Sequence, residues 1–409
     1  MILSENKLGL YMNIKINTNS KELFNYKSKN IKEINTIIDN DTYILRKGEK
    51  ILRANKHSDI ESTKGELLLF HIRNKKYGIF SIENPVFFNN VELTDNTING
   101  LNNKTWYVLN SENPNINSNN EDYNLTENDI IKLGNIKLII KEIHIENSES
   151  QNNKNTETNN ENISTKKNGG PIFNIIPQPQ KYFISENNTK KENIKCSICY
   201  KYECDIKNPI LSFCECNCYM NHFKCLKNVA YKRSINKCNI NKTIHYYYIK
   251  ALKCRKCKSI LPFKFTIPEA EQPFNFIDII KPNECNYMII ESLENKIFYG
   301  NLKLIFIVKL GDNKVKIGRS DDNDIIIKDP SVSKNHAEII YKNGNIYIKN
   351  LSEMFGTLIL IKKPINLNDK YIKLQIGNTV IDTKIMKHGD YEEKKINIQE
   401  YWIKKINNY

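Results

Sequence analysis

Arginine is the scarcest charged residue of this chain of 409 residues, which has six arginines but a formal net charge of +15. The positive charge comes almost entirely from lysines scattered among asparagine and isoleucine, with no basic run and no arginine-rich stripe. Nucleic-acid interfaces concentrate basic residues on one face, so nucleic acid is not the expected partner. Nucleic-acid binding stays a third hypothesis, and it predicts an affinity that falls steeply with salt.

Long apolar runs are also missing. No segment reaches about 18 consecutive apolar residues, so no helix is expected to span a membrane. Residues 1–20 lack an apolar run that ends in small residues, so no signal peptide is expected. All but one of the 11 cysteines lie between 196 and 257, and in a reducing compartment such a density favours metal over disulfides. We therefore expect an intracellular protein of the cytoplasm or nucleus.

The composition predicts a mainly β, multidomain chain. Apolar runs separated by Gly, Asn and Asp indicate two β-rich blocks, whereas residues 147–169 have almost no apolar content and predict disorder. The expected segments are an N-terminal extension (1–39), a β-sandwich (40–146), a disordered linker (147–193), a zinc finger of α/β type (194–266), a connector (267–285), a second β-sandwich (286–385) and a polar C-terminal tail (386–409).

Cysteine and histidine occur in pairs at the spacing of zinc ligands. Each pair sits on one tight turn, so each ion needs two pairs from different parts of the chain. The sequence therefore predicts two zinc ions, whose binding would stabilise a module with a small core. Cys218 lies near enough to compete as a ligand, whereas Cys204 and Cys238 are expected to be free thiols. The candidate ligands are Cys196, Cys199, Cys214, Cys216, His222, Cys225, Cys254 and Cys257.

The ligand order of four cysteines, one histidine and three cysteines resembles the RING-CH (RING-variant) domain of ubiquitin ligases. The segments 208–216 and 222–226 also fit that family's pattern. The resemblance implies a cross-braced fold, in which Cys196, Cys199, His222 and Cys225 hold one zinc ion and Cys214, Cys216, Cys254 and Cys257 hold the other. It implies a module without catalytic residues that recruits a ubiquitin-conjugating enzyme. Its docking residues would be Ile198, Leu261 and Pro262.

Two departures from the RING-CH pattern keep an alternative open. The gap between Cys216 and His222 is two residues shorter than usual, and Val229 stands where the family commonly has tryptophan. A PHD finger shares the ligand order and would bind histone tails, although it usually has tryptophan at the position of Leu252. The second hypothesis is thus a non-enzymatic adaptor whose zinc finger is structural or PHD-like.

A further set of motifs carries the residue types that bind phosphate. Arg319 follows Gly318 on a turn after a strand, so its guanidinium can project from a loop and contact two phosphate oxygens at once. Ser333 would add a hydroxyl donor and Lys334 a positive charge. The motifs are Lys316-Ile-Gly-Arg-Ser320, Asp324-Ile-Ile-Ile-Lys-Asp329, Ser331-Val-Ser-Lys-Asn-His336, Tyr347-Ile-Lys-Asn-Leu-Ser352 and Gly356-Thr357.

These motifs make residues 302–385 resemble a forkhead-associated (FHA) domain, which implies a β-sandwich that binds phosphothreonine through Arg319, Ser333 and Lys334. His336 is expected to pack under the loop and bond its backbone. The family usually has asparagine before Gly-Thr to hold the peptide backbone; Phe355 stands there instead. Residues 123–143 resemble the closing strands of a second, divergent FHA-like sandwich without a phosphate pocket.

The complete order resembles FHA–RING-variant proteins of ciliates and apicomplexan parasites, whose Asn, Lys and Ile bias the chain shares. The first hypothesis is therefore a soluble RING-type ubiquitin ligase of signalling pathways. Its FHA domain would select phosphothreonine-containing proteins, and its zinc module would recruit the conjugating enzyme.

Overall fold

The computed structural model contains strands and one helix in the part of the chain that it describes. The described residues are 9–17, 31–38, 42–47, 50–54, 66–73, 76–81, 105–109, 123–146, 178–184, 194–214, 216, 219–239, 241–283, 285–293, 296–297, 300–361, 365–367, 372–377 and 379–386. No helix in these ranges is long and apolar enough to cross a membrane.

The elements follow one another along the chain in this order. The first ten strands are β1 (Gly9–Asn17), β2 (Ile31–Ile38), β3 (Thr42–Lys47), β4 (Lys50–Ala54), β5 (Glu66–Arg73), β6 (Lys76–Ser81), β7 (Thr105–Leu109), β8 (Tyr123–Asn124), β9 (Ile130–Leu133) and β10 (Ile136–His144). Next come β11 (Lys181–Phe183), β12 (Ile210–Ser212), β13 (Asn221–His222), α1 (Phe223–Arg233), β14 (Ser234–Cys238), β15 (Ile244–Lys250), β16 (Lys264–Phe265), β17 (Phe274–Asn275), β18 (Tyr287–Ser292), β19 (Lys296–Ile297) and β20 (Gly300–Lys309). The last strands are β21 (Val315–Gly318), β22 (Ile325–Ile326), β23 (Ala337–Lys342), β24 (Asn345–Asn350), β25 (Thr357–Leu360), β26 (Ile365–Leu367), β27 (Ile372–Ile376) and β28 (Thr379–Met386).

The chain divides into two compact units, and each is built from separate stretches of sequence. Unit 1 comprises residues 1–125, 129–137 and 314–409, and unit 2 comprises 126–128 and 138–313. The mainly β fold class is confirmed. The division differs from the continuous segments expected from composition, because strand pairing joins residues that are far apart in sequence.

Unit 1 contains three sheets. One has the strand order β9-β25-β7-β27-β28-β1-β2, a second β22-β21-β23-β24-β8, and a third β26-β6-β5-β3-β4. Strand β7 pairs antiparallel with both β25 and β27, and β1 pairs with β28. Strands from the predicted N-terminal extension and from 40–146 are therefore neighbours of strands from 315–386.

Buried apolar residues and tight turns account for these strands. Trp106 of β7 is fully buried, as are Leu374 and Ile381 of β27 and β28. Asn343 and Gly344 form the two-residue turn between β23 and β24, and both have positive φ, 51° and 75°. Such a turn has the twist of the strands that it joins, and glycine adopts its φ without strain.

Unit 2 is built around an antiparallel sheet with the strand order β14-β15-β20-β18-β10. Strand β20 carries a run of buried residues from Leu304 to Val308, a pattern typical of a strand covered on both faces. Helix α1 buries Phe223, Leu226 and Ala230, which recur along one helical face. Smaller sheets join β11, β12 and β13, and β16 with β17.

The metal-binding region and the sheet of unit 2 share one apolar core. The predicted connector, 267–285, contributes Ile267, Phe276 and Ile277, all of which are buried. The apolar core is therefore larger than the small core that the ligand pattern predicts. Its buried members are Leu211, Phe223, Leu226, Ala230, Tyr247, Ile249, Leu252, Leu261, Phe265, Ile267, Phe276, Ile277, Tyr287, Ile289, Ile305 and Ile307.

Of the predicted linker, 147–193, the structure describes residues 178–184. Strand β11 pairs with β12, and Ile184 directly after it is buried, so this stretch is ordered. The composition that predicts disorder is that of residues 147–169, which lie outside the described residues. Residues 147–177 and 185–193, the tail from 387 onward and Cys218 lie outside the described residues.

Candidate functional site

The first metal-binding group consists of Cys196, Cys199, His222 and Cys225, whose ligand atoms all lie within 4.8 Å of one another. His222 Nδ1 lies 3.2 Å from Cys199 Sγ and 4.0 Å from Cys225 Sγ. The other ring nitrogen, Nε2, donates to the carbonyl of Glu203 at 2.7 Å. Such a bond fixes the ring and leaves Nδ1 to bind a metal.

The second group consists of Cys214, Cys216, Cys254 and Cys257, again within 4.8 Å. The Sγ atom of Cys216 lies 3.1 Å from that of Cys214 and 3.6 Å from that of Cys254. Sulfurs that share one tetrahedral zinc ion are about 3.8 Å apart, given Zn–S bonds of about 2.3 Å. Four thiolates at these separations fit a closed structural site without an open position.

Two turns of similar geometry carry the Cys-x-x-Cys pairs. In the first, Tyr200 N–H donates to the carbonyl of Cys196; in the second, Lys258 N–H donates to that of Cys254. Tyr200 and Lys258 each follow a second cysteine, and both have positive φ, 61° and 62°. This backbone hydrogen bond closes each turn, so both sulfurs of a pair face the same side.

The thiols of these groups differ in acidity. Burial would raise the pKa of Cys196, but the backbone N–H groups of Cys199, His222 and Ile198 lower it to about 7. Burial and then the neighbouring thiol of Cys216 raise the pKa of Cys214 to about 12. A metal ion binds thiolates and displaces their protons, so a bound ion would offset the cost of ionising Cys214.

The pairs alternate along the chain between the two groups, as the cross-braced expectation requires. Each group could hold one metal ion, and sulfur with imidazole is a donor set that zinc accepts. Neither Cys204 nor Cys238 belongs to either group of ligand atoms among the described residues. Cys214 and Cys216 complete the second group without Cys218.

A cleft lies beside the metal groups in unit 2. Ile198, Leu226, Val229 and Leu261 form part of its apolar wall, and Arg255 contributes a positive charge. Two of the three expected docking residues therefore line one cleft: Ile198 is half-buried and Leu261 is buried. Pro262 is half-buried and is not among the residues that line it.

The expected phosphate-binding residues of unit 1 lie on two adjoining loops. Arg319 N–H donates to the carbonyl of Ser333 at 2.9 Å, and Ser320 N–H donates to that of Lys334 at 3.1 Å. A Cβ on Gly318 would approach the carbonyl oxygen of Lys334 to 2.1 Å, so only glycine allows this close approach. The structure thus brings Arg319, Ser333 and Lys334 together.

The side chain of Arg319 is exposed but fixed at one point. Its Nε–H donates to the carbonyl of Val332 at 3.1 Å. Within the described residues no acceptor bonds the two Nη groups. Lys334, on the adjoining loop, is also exposed. A planar guanidinium held at Nε presents its other donors as a fork, which matches the oxygens of a phosphate.

His336 supports this pair of loops from below. Ser333 N–H donates to its Nδ1 at 3.0 Å, and its Nε2–H donates to the carbonyl of Gly356 at 2.9 Å. Burial lowers the pKa of His336 to about 4, so the ring is neutral at physiological pH and can both accept and donate. The expectation that His336 packs under the loop and bonds its backbone agrees with this geometry.

Asn323 is a second support, which the sequence analysis missed. Its side-chain amide donates to the carbonyl of Ser320 at 3.0 Å and to that of Lys334 at 2.7 Å. One buried side chain therefore joins the loop of Arg319 to the loop of Lys334. A buried asparagine between two acidic residues gave no signal, since its neighbours Asp322 and Asp324 suggest a solvated turn.

A third loop, between β24 and β25, completes the site. Ser352 Oγ lies 2.7 Å from Ser333 Oγ, and Phe355 N–H donates to Ser352 Oγ at 3.3 Å. Phe355 is half-buried and Met354 is 43% exposed, so this loop has an apolar rim where the family usually has an amide.

The turn between β9 and β10 also contacts the loop that carries Ser331, Ser333 and Lys334. Asn135 N–H donates to Ser331 Oγ at 2.8 Å, and Ser331 Oγ donates to Asp329 Oδ1 at 2.5 Å. A Cβ on Gly134 would lie 2.1 Å from the carbonyl oxygen of Ser331. A turn almost two hundred residues upstream therefore sets the position of this loop.

Comparison with known protein families identifies this part of unit 1. Residues 315–381 match the FHA domain. The predicted FHA domain is thus confirmed over the span that carries Arg319, Ser333 and Lys334. No curated protein that was compared matches the chain.

Proposed function

We propose that the chain binds phosphothreonine-containing proteins through Arg319, Ser333 and Lys334. The observation that carries this proposal is that Arg319, with an exposed guanidinium, and Ser333 and Lys334 lie on two loops joined by backbone hydrogen bonds, inside the span that matches the FHA domain. A phosphate with a charge of about −1.5 to −2 would be bonded by all three. Buried Asn323 and neutral His336 hold the loops in place before any ligand arrives.

The test is a titration of the full chain with a library of phosphothreonine peptides and their unphosphorylated counterparts. Arg319→Ala should lower phosphopeptide affinity by roughly tenfold to a hundredfold, the value of a hydrogen bond to a charged group. Arg319→Lys should lose part of it, because lysine keeps the charge but not the fork. Lys349→Ala, an exposed lysine on β24, controls for loss of charge alone. Equal affinity of all variants for the phosphopeptide would refute the assignment of Arg319 to the binding site.

We further propose that both metal groups hold zinc and that unit 2 recruits a ubiquitin-conjugating enzyme. Support comes from the alternating order of the ligand pairs and from the position of Ile198 and Leu261 in one cleft. Zinc would be structural here, since each set of four ligands leaves no open position. Ubiquitin would be transferred from the partner's thioester to substrates held by the FHA domain.

A ubiquitin-transfer assay with zinc-loaded protein and a panel of conjugating enzymes tests the ligase proposal. Ile198→Ala should abolish transfer while two zinc ions per chain remain bound. Ile235→Ala is a matched control, because Ile235 is 47% exposed in the same unit and does not line the cleft. Transfer that is equally strong in both variants would place the docking surface elsewhere.

The alternative is a phosphoprotein-binding adaptor without ligase activity. Val229 supports this alternative. It lines the cleft at a position where RING-CH domains commonly have tryptophan, and valine offers a partner less apolar area than tryptophan does. Absence of transfer across the panel, with two zinc ions per chain by metal analysis, would favour the adaptor. A PHD-like function would instead appear as binding of histone-tail peptides by unit 2.

A further inference from the structure

Ser352 is buried in the loop between β24 and β25, with 3% of its surface exposed, and its hydroxyl lies 2.7 Å from that of Ser333. Ser333 is only half-buried. Two hydroxyls at this distance share one hydrogen bond, so one of them donates and the other accepts. Which serine donates decides whether Ser333 keeps a hydrogen for a ligand.

The surroundings of Ser352 determine the direction of this bond. Phe355 N–H donates to Ser352 Oγ at 3.3 Å, which occupies one of its two acceptor positions. Among the described residues, Ser333 Oγ is the one acceptor bonded to the Ser352 hydroxyl. A buried hydroxyl hydrogen without a partner is costly. Ser352 therefore donates and Ser333 accepts.

We propose that Ser352 is a positioning residue for phosphate recognition. By donating to Ser333 Oγ, it leaves the Ser333 hydroxyl hydrogen free to point at a phosphate oxygen. The chain of bonds runs from Phe355 N–H through Ser352 to Ser333 and then to the ligand, and successive bonds of one direction strengthen each other. This inference rests on the proposed phosphothreonine binding and adds a residue to it.

Both serines are held in place by buried groups, so the direction is set before the ligand binds. Asn350 accepts from Ser352 N–H at 3.1 Å and donates to the Ser352 carbonyl at 2.9 Å. Thr357 Oγ1 donates to the same Asn350 oxygen at 2.9 Å. On the other side, His336 accepts from Ser333 N–H. A donor fixed in this way loses little conformational freedom on binding.

The role of Phe355 follows from the same geometry. Its backbone N–H begins the chain of bonds, and this contact does not depend on its side chain. The amide side chain that the family usually has at this position is therefore not needed to orient Ser333. Replacement of that amide by phenylalanine leaves the phosphate donors intact.

A double-mutant cycle on the full chain tests the proposal, with a phosphothreonine peptide selected on the wild type as the probe. Ser333→Ala should lower affinity by roughly tenfold or more, and Ser352→Ala by about fivefold, the order of one neutral hydrogen bond. In the Ser333→Ala background, Ser352→Ala should have almost no further effect, because its partner is already gone. Thr383→Val, which removes a buried hydroxyl from β28 of the same unit, is the control for loss of stability alone.

The outcomes separate this inference from the proposed function. If the wild type binds no phosphothreonine peptide, the proposed function itself fails. If the wild type binds and Ser352→Ala binds equally well, Ser352 has no positioning role. Equal losses from Ser352→Ala in both backgrounds would also overturn the inference, because a general structural effect does not depend on Ser333. Thermal unfolding of each variant shows whether it is folded.

Discussion

Replacement of Gly134 by alanine tests whether the turn between β9 and β10 supports the loop that carries Ser331, Ser333 and Lys334. Gly134 has φ +59°, and a Cβ there would lie 2.1 Å from the carbonyl oxygen and 2.6 Å from the Oγ of Ser331. A side chain at this φ costs about 1–2 kcal/mol by itself. The Ser331 backbone must also move, which breaks the bond from Asn135 N–H and costs a further ~0.5–1.5 kcal/mol.

Gly344 provides a control with the same backbone strain and no steric contact. Its φ is +75°, and nothing lies within 4 Å of a Cβ built on it. Gly344→Ala should therefore cost about 1–2 kcal/mol, the strain alone. Gly134→Ala should cost about 1.5–3.5 kcal/mol, the sum of strain and the broken contact. The difference between the two variants isolates the contact with Ser331.

Tryptophan fluorescence during urea unfolding can measure both changes. The chain has two tryptophans, and Trp106 is fully buried in β7 of unit 1. With Trp402 replaced by phenylalanine, the signal comes from Trp106 alone. Urea midpoints for the wild type, Gly134→Ala and Gly344→Ala then give the loss of stability in unit 1.

Phosphopeptide binding adds a second readout to the glycine pair. Gly134→Ala should weaken binding, since Ser331 lies two residues before Ser333, whereas Gly344→Ala should not. Equal urea midpoints and equal affinities for the two variants would show that the turn does not approach the loop as the structure has it.

Three other predictions concern pH, metal and domain limits. Burial lowers the pKa of His336 to about 4, so between pH 6.5 and 4 the unfolded chain binds a proton that the folded chain does not. The free energy of unfolding should therefore fall by roughly 3 kcal/mol as the pH falls through this range. Urea midpoints of His336→Gln should depend less on pH there. Cys254→Ser should lower the zinc content measured by metal analysis from two ions to one and increase amide exchange at Tyr247 in the shared core. A fragment of residues 286–385 should not fold, because β25 and β27 both pair with β7; a dispersed NMR spectrum of that fragment would contradict this pairing.

The ligand groups and the FHA motifs could be predicted because their signals are local. A Cys-x-x-Cys pair sits on one turn, and Gly318 and Arg319 adjoin each other, so spacing alone indicates the chemistry. The interleaving of the ligand pairs came from the resemblance to RING-CH domains, and the structure has the same interleaving. Short-range sequence was thus sufficient to find the two groups of possible metal ligands and the FHA domain.

The division of the chain could not be predicted, because it depends on contacts between distant strands. Nothing in residues 9–17 indicates that β1 pairs with β28. The sequence around Trp106 also does not show that β7 lies between β25 and β27. Strand pairing depends on side-chain fit across the sheet, which a single sequence does not specify. Likewise, proline-rich 267–285 suggested a connector, but it contributes Phe276 to the core.

The supporting residues were missed for a related reason. Asn323 and Ser352 are polar residues in loops, and their composition predicts exposure. Both are buried because each satisfies hydrogen-bonding groups of a second loop, and the identity of that loop is known only from the fold. A polar residue that joins two loops therefore gives the same sequence signal as one that faces solvent.

The arrangement of unit 1 has a consequence for how its pocket can vary. The groups proposed to touch phosphate lie on exposed loops, whereas the groups that orient them, His336, Asn323 and Ser352, are buried. A change at the half-buried rim position Phe355 alters what would surround a phosphate without moving the proposed donors, because the bond to Ser352 uses the backbone. A change at a buried support moves several donors at once. Peptide preference can therefore change through the exposed residues of these loops while phosphate recognition is retained.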